Sequence, residues 1–382
     1  MAQSIAMTVY MVMAPIVGTL VDRIGPRKVI LPGITLTGLG FLLCTQMRTL
    51  LQFYFFFGII VGIGVTCLSI VPFTAILTHW FERKRGMANG LASVGIGLGP
   101  LLLLPFLQRL ITHQGWAFTY LVFGLMILAI PLPLNLFFLR HQPEEMGLYP
   151  DGGRLKTPAE APQDKRENPL SKPSLDPLRE RSFGELMKMG RFWLILIFPS
   201  LMVFGVYTVI VHHVKYLVDM GLEKMWVAWL FAMASALSGG FRLFWGWLSD
   251  RIGREITYTL GGICFCFAIV FLLVFPYFYN RILLYSFAIS FGVGWGVTAP
   301  MFMSISADLF KGRYFGTVYG MVEGVIGIGG ALGSWLGGYL FDQTQSYFWA
   351  FFLVIPLNLI SILLVWLAAP RKYRKPHPSE FR

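Results

Sequence analysis

Two ionisable side chains sit deep inside long apolar stretches of this sequence. Arg242 lies within "SGGFRLFWGW" and Glu323 within "GTVYGMVEGVIGIGG". A guanidinium offers a planar, permanently charged fork that matches a carboxylate. A buried carboxylic acid can take up and release a proton, changing the local charge by one. A charge near the centre of a membrane helix costs ~2.5–3.5 kcal/mol on insertion scales, so neither residue would persist facing lipid. Arg242 stands eight residues before Asp250, and Glu323 eight residues beyond Phe315. At ~1.5 Å per residue, each is roughly 12 Å from its helix end. One Arg facing one acid is neutral when Glu323 is ionised and carries one positive charge when it is protonated. That arithmetic favours binding a monoanion together with a proton. The bland alternative is a structural Arg–Glu pair that touches no ligand.

Tyr319 is one turn before Glu323 on the same helical face, where it could hydrogen-bond a ligand or tune the acid. Tyr10 and Tyr207 are weaker candidates of the same kind. His212 and His213, beside Lys215 and Asp219, fall near a helix end and read as interfacial or gate residues. Trp295 is a candidate cavity-lining residue. The sequence holds no Walker A run, no His-Glu-x-x-His and no Gly-x-Ser-x-Gly, so an enzyme is not expected. Cys44, Cys67, Cys264 and Cys266 all lie inside apolar runs and read as small buried hydrophobes. Neither a metal nor a cofactor is expected.

The elements that must position these residues follow from composition. Of 382 residues, 56% are hydrophobic and 13% charged, against about 25% charged in a soluble domain. Apolar runs of about 20 residues recur along the chain, long enough to cross ~30 Å of hydrocarbon. They are continuous rather than alternating, which excludes a membrane barrel. Eleven helical spans are predicted, at 2–21, 29–47, 53–78, 87–109, 116–139, 191–218, 225–248, 257–276, 281–308, 315–340 and 347–369. A polar stretch rich in Pro, Glu and Lys, Arg140 to Gly190, reads as a linker or short amphipathic segment.

The net charge of +12 does not point to nucleic acid. Of the 31 Lys and Arg, 25 fall in the connections on one side (22–28, 82–85, 140–191, 251–254, 311–313) and the tail 371–382. Five fall on the other side, and Arg242 is within a span. The charged side is therefore expected to be cytoplasmic, with a cytoplasmic C-terminus, in a multi-pass inner (cytoplasmic) membrane protein.

The chain nearly repeats itself. "GTLVDRIGPRK" begins at Gly18 and "GWLSDRIGRE" at Gly246, and each follows an apolar run. Two spans precede the second copy within its part of the chain, and one precedes the first. Two related halves, 1–139 and 191–369, would explain this if a first helix is absent before Met1. The loop 140–190 joins them, and 370–382 is a tail. Duplicated halves around a midplane site are a transporter architecture.

The paired hairpins resemble the signature of the major facilitator superfamily. "HWFERKRGMANGLASVGIGLGP" (79–100) and "QPEEMGLYPDGG" (142–153) are similar to its monocarboxylate and oxalate/formate branch. The resemblance implies an all-α membrane protein with two six-helix halves, the first helix absent here. It implies a secondary transporter of small organic anions, proton-coupled monocarboxylate symport in particular, working by alternating access as a monomer in the bilayer. An anion exchanger or exporter, or a non-transporting sensor on the same fold, are the alternatives.

Residue by residue, Arg242 matches the arginine that binds substrate carboxylate in monocarboxylate transporters. Two departures stand out: those transporters carry an Asp where this chain has Ser238, and the oxalate exchanger carries a Lys where it has Glu323. In the hairpins, Gly18, Asp22, Arg23, Gly25 and Arg27 match Gly246, Asp250, Arg251, Gly253 and Arg254. Arg23, Arg27, Arg251 and Arg254 are expected to pair with Asp22 and Asp250. The resemblance implies that these carboxylates also brace the facing helix end when the cytoplasmic side closes; a plain topological anchor is the alternative. Gly316, Gly320, Gly324, Gly329, Gly333 and Gly337 on one span, with Gly86, Gly90, Gly95, Gly97 and Gly99 on another, suit close helix contact.

Overall fold

The computed structural model describes residues 2–140, 142–152 and 182–370. The tail and most of the linker expected at 140–190 lie outside the described residues. What is described is built from helices: α1 (Ala2–Ile24), α2 (Pro26–Cys44), α3 (Leu50–Trp80), α4 (Arg85–Ala129), α5 (Pro131–Phe138), α6 (Gly190–Asp219), α7 (Lys224–Ile252), α8 (Arg254–Phe278), α9 (Arg281–Phe310), α10 (Phe315–Thr344) and α11 (Phe348–Ala368).

Ten helical stretches among the described residues are long and apolar enough to cross a membrane, one fewer than the eleven spans the sequence predicts. The difference falls between 85 and 139. Residues 85–129 are two helices that meet at a kink at Gly115 (φ 81°, ψ 172°), inside the expected gap between 109 and 116, and the qualifying stretch there is Phe106–Phe138. Only glycine takes that backbone conformation without strain, so the chain kinks where it lacks a Cβ. Helix α3 is not uniform either. It is π-wound over Tyr54–Val61 and restarts at Ile70, where Ser69 Oγ accepts the Val71 N–H.

The two Asp-Arg-x-Gly hairpins share one backbone solution. Gly25 ends α1 with φ 84° and Gly253 ends α7 with φ 98°, and each passes directly into the next helix. With no partner for its last carbonyls, a helix needs a residue of positive φ to turn this sharply, and glycine supplies it.

Close packing decides which helices meet. Gly90 lies so tightly against the Arg242 carbonyl that any Cβ would collide with it, and Gly86 meets Gly246 in the same way. These contacts seat α4 on α7. Gly18 against Gly316 and Gly320 against Ala14 seat α1 on α10, while Gly329 and Gly333 seat α10 on α6. Small residues let backbones approach where hydrocarbon offers no hydrophobic drive to pack. The glycine series on α10 therefore serves two neighbours at once.

Candidate functional site

Arg242 hangs between α4 and α9, its carbonyl against Gly90 and its amide near Gly296. It is 1% exposed. Its Nε and Nη1 have no hydrogen-bond partner. The guanidinium lies 6.0 Å from the Trp295 ring centroid, and Trp295 stacks in turn on Phe231 at 6.5 Å and 17°. A π-face offers a cation some attraction without using its donors, so two nitrogens of the planar fork, Nε and Nη1, keep their N–H groups in hand. One turn earlier the Ser238 hydroxyl is also buried and unpartnered.

Glu323 is buried on α10 in a ring of tyrosines drawn from three helices. Tyr10 of α1 donates its hydroxyl to Glu323 Oε2 at 3.1 Å, across 313 residues of sequence. Tyr319, fully buried and stacked on Phe315, faces Glu323 and Thr74 but makes no well-formed hydrogen bond to either. Tyr207 of α6 packs on Gly330 and also faces the acid. The structure thus brings Tyr10, Tyr207 and Tyr319 together around Glu323. It does not join Glu323 to Arg242: no ion pair links the two.

His212 and His213 are buried among the helices. His212 Nε2 is 2.9 Å from the Ser334 carbonyl, with its ring against Gly337. His213 is 1% exposed, held at 2.7 Å to the Val209 carbonyl and packed 4.8 Å from Phe231. A helix end that looks exposed in one dimension is covered by α7, α9 and α10 in three.

At the basic face, the motif aspartates cap helices across the molecule. Asp22 accepts the N–H groups of Gly316 and Thr317 at 2.6 and 2.7 Å, and the Thr317 hydroxyl at 2.6 Å. Asp250 accepts the N–H groups of Gly86 and Met87 at 3.0 and 2.9 Å. A helix N-terminus presents unpaired N–H groups and a positive dipole end, which suit a carboxylate. The expected arginine pairings need correction. Arg254 does pair with Asp250, at 2.7 Å. Arg251 instead lies over Trp247 at 4.2 Å, and Arg27 donates to the Leu136 carbonyl at 2.6 Å. Among the described ion pairs, none joins Arg23 or Arg27 to Asp22. Its oxygens are taken by α10, which leaves a cation less to gain there.

Sequence reasoning missed the charge cluster beside the Asp250 cap. Asp308 of α9 pairs with Arg85 at 2.6 Å and with Arg254 at 3.0 Å, all three nearly buried. Lys311 reaches Glu82 at 2.9 Å. Arg85 and Lys311 count as topological cations in the sequence, and no local pattern marks partners more than 200 residues away.

Long apolar helices, glycine seams between N-terminal and C-terminal helices, and carboxylate caps that swap across them define an integral-membrane transporter fold. The chain belongs to the Major Facilitator Superfamily, whose family profile matches residues 1–322 and 299–382. It is 27% identical over 350 residues to monocarboxylate transporter 13 of Bos taurus, covering 90% of this chain and 74% of that one. To monocarboxylate transporter 11 of Homo sapiens it is 28% identical over 375 residues, covering 96% and 74%. To YcxA of Bacillus subtilis, an uncharacterized transporter of this type, it is 24% identical over 358 residues, covering 90% and 80%. Among solved structures, the proton:xylose symporter XylE superposes with TM-score 0.76 at 15% identity, covering 98% of this chain and 88% of that one. The human organic anion transporter MFSD10 gives 0.69 at 16%, covering 95% and 82%. At such identity the structural likeness speaks for the fold alone. The protein is a multi-pass membrane protein of this superfamily, resembling its monocarboxylate branch, and the superfamily's members are in general not enzymes.

Proposed function

We propose that the chain is a secondary active transporter that carries a small organic monoanion, a monocarboxylate, together with a proton by alternating access. Arg242 holds the carboxylate and Glu323 carries the proton, with Tyr319 lining the site. The halves 1–139 and 191–369 rock about the glycine seams, and the aspartate-capped face is the cytoplasmic one, with the C-terminus on that side of the cell membrane. The transporter works as a monomer.

One observation carries this reading: Arg242 is buried with Nε and Nη1 unpartnered, while Glu323 is occupied by Tyr10 instead of neutralising it. A buried charge without a counter-ion is costly, and an incoming carboxylate supplies both the charge and the bidentate acceptor the fork lacks. Protonation of Glu323 removes a buried negative charge that would repel the incoming anion, so proton and anion binding favour each other. The names of the curated relatives supply the substrate class.

The test compares proton-driven accumulation with substrate exchange in the same proteoliposomes. Glu323→Gln imitates the protonated acid; it should exchange a monocarboxylate across the membrane but no longer accumulate it in response to an imposed proton gradient. Accumulation equal to the parent's would remove Glu323 as the proton carrier.

A further inference from the structure

The segment "QPEEMGLYPDGG" is not absorbed by the substrate site, yet the structure gives it a specific contact. Two 3-10 turns, Pro143–Met146 and Pro150–Gly152, fold the start of the central loop back on itself, with the Leu148 N–H on the Pro143 carbonyl at 3.1 Å. At its end Asp151 adopts φ 61° and ψ 18°. This left-handed conformation is one that Asp, Asn and Gly tolerate better than other residues. The carboxylate then meets three successive backbone N–H groups of the α3–α4 hairpin. Oδ2 accepts from Glu82 at 3.2 Å and from Arg83 at 2.9 Å, and Oδ1 accepts from Lys84 at 3.4 Å. Consecutive N–H groups converging on one anion form a nest, here filled from within the chain.

That hairpin is where the N-terminal helices grip the C-terminal ones. The next residues along it are Arg85, paired with Asp308, and Gly86 and Met87, whose N–H groups Asp250 takes. Glu82 itself is paired with Lys311. Residues 82–84 run directly into α4, whose first turn carries the N–H groups of 86–87, so holding the hairpin backbone helps fix where those N–H groups point. We propose that Asp151 is a positioning residue for transport: it presets the α3–α4 hairpin so that Asp250 and Asp308 can close on it. The start of the central loop is then a strut of the clamp, and the clamp stands on three aspartates, Asp151 of the central loop, Asp250 near the end of α7 and Asp308 near the end of α9. The inference deepens the transport reading, and its test needs no substrate, so the two fail separately.

The measurement is amide hydrogen exchange on the detergent-solubilised full chain. Asp151→Gly keeps the positive φ free of strain but removes the carboxylate. Asp151→Asn keeps the backbone preference and one neutral acceptor. Faster exchange at 82–84 in the Gly variant reports the local bond. The inference predicts more: peptides on the facing side, 246–256 and 306–313, should also exchange faster, on the order of threefold to tenfold, the factor one lost hydrogen bond allows. Asp151→Asn should fall between parent and Gly variant, and Asp250→Asn should give the same pattern on the facing side. If the Gly variant does not fold, the Asn variant alone must still raise exchange at 246–256 above the parent. Faster exchange confined to 82–84, with both facing peptides unchanged, overturns the proposal.

Discussion

The Tyr10 hydroxyl lies 3.1 Å from Glu323 Oε2, so an acid on α10 is held by a donor from α1, at the other end of the sequence. The same two helices meet at Gly18 and Gly316 and at Asp22 and Thr317. If Glu323 carries the proton as proposed, its loading and the separation of α1 from α10 act on one contact.

Removing that donor should move the pH dependence of transport. Tyr10→Phe removes the hydroxyl that Glu323 accepts, so the pH of half-maximal proton-driven uptake should differ from the parent's. Uptake against pH in proteoliposomes checks this; an unmoved midpoint would leave Tyr10 a packing residue.

Arg242→Lys retains the charge and loses the planar fork. Binding of a monocarboxylate should weaken at least tenfold, the effect of roughly 1.4 kcal/mol. Arg242→Ala should abolish binding with little loss of fold, because none of the ion pairs among the described residues includes Arg242. Isothermal titration with the purified variants, beside their melting curves, separates the two effects.

Asp250→Asn trades an anionic cap on Gly86 and Met87 for a neutral one. Turnover should drop several-fold while the substrate's KM stays near the parent value, since the cap lies at the end of α7 and not beside Arg242. Initial-rate kinetics decide the matter. Equal turnover would reduce the second hairpin to a topological anchor.

Asp308 neutralises two nearly buried arginines, Arg85 and Arg254. Breaking such a cluster from the acid side strands Arg85 and leaves Arg254 with Asp250 alone, at a cost of about 3–5 kcal/mol. Asp308→Ala should lower the thermal midpoint clearly, whereas Arg313→Ala, at an exposed site, should leave it within error. Thermal unfolding in a single detergent compares them.

Much of the molecule could be read in one dimension. Hydrophobic run length locates helices because each span must satisfy its own backbone in lipid. Arg242 and Glu323 stand out because charge is rare at such depth. The Asp-Arg-x-Gly repeat marks two turns that need glycine, and both appear, at Gly25 and Gly253. Sequence could not say where those aspartates point. Neighbouring arginines are the obvious partners, yet Asp22 goes to the N-terminus of α10, because free N–H groups there lie closer than any cation. The kink of α4 at Gly115 and the π-wound turn of α3 also escape hydropathy, which does not register backbone dihedrals. Above all, only tertiary structure decided that Arg242 and Glu323 stay apart. Which helices meet depends on glycine seams such as Gly90 on Arg242 and Gly18 on Gly316, and those contacts join residues more than 150 positions apart. Local pattern sets which groups are buried; the seams set which of them touch.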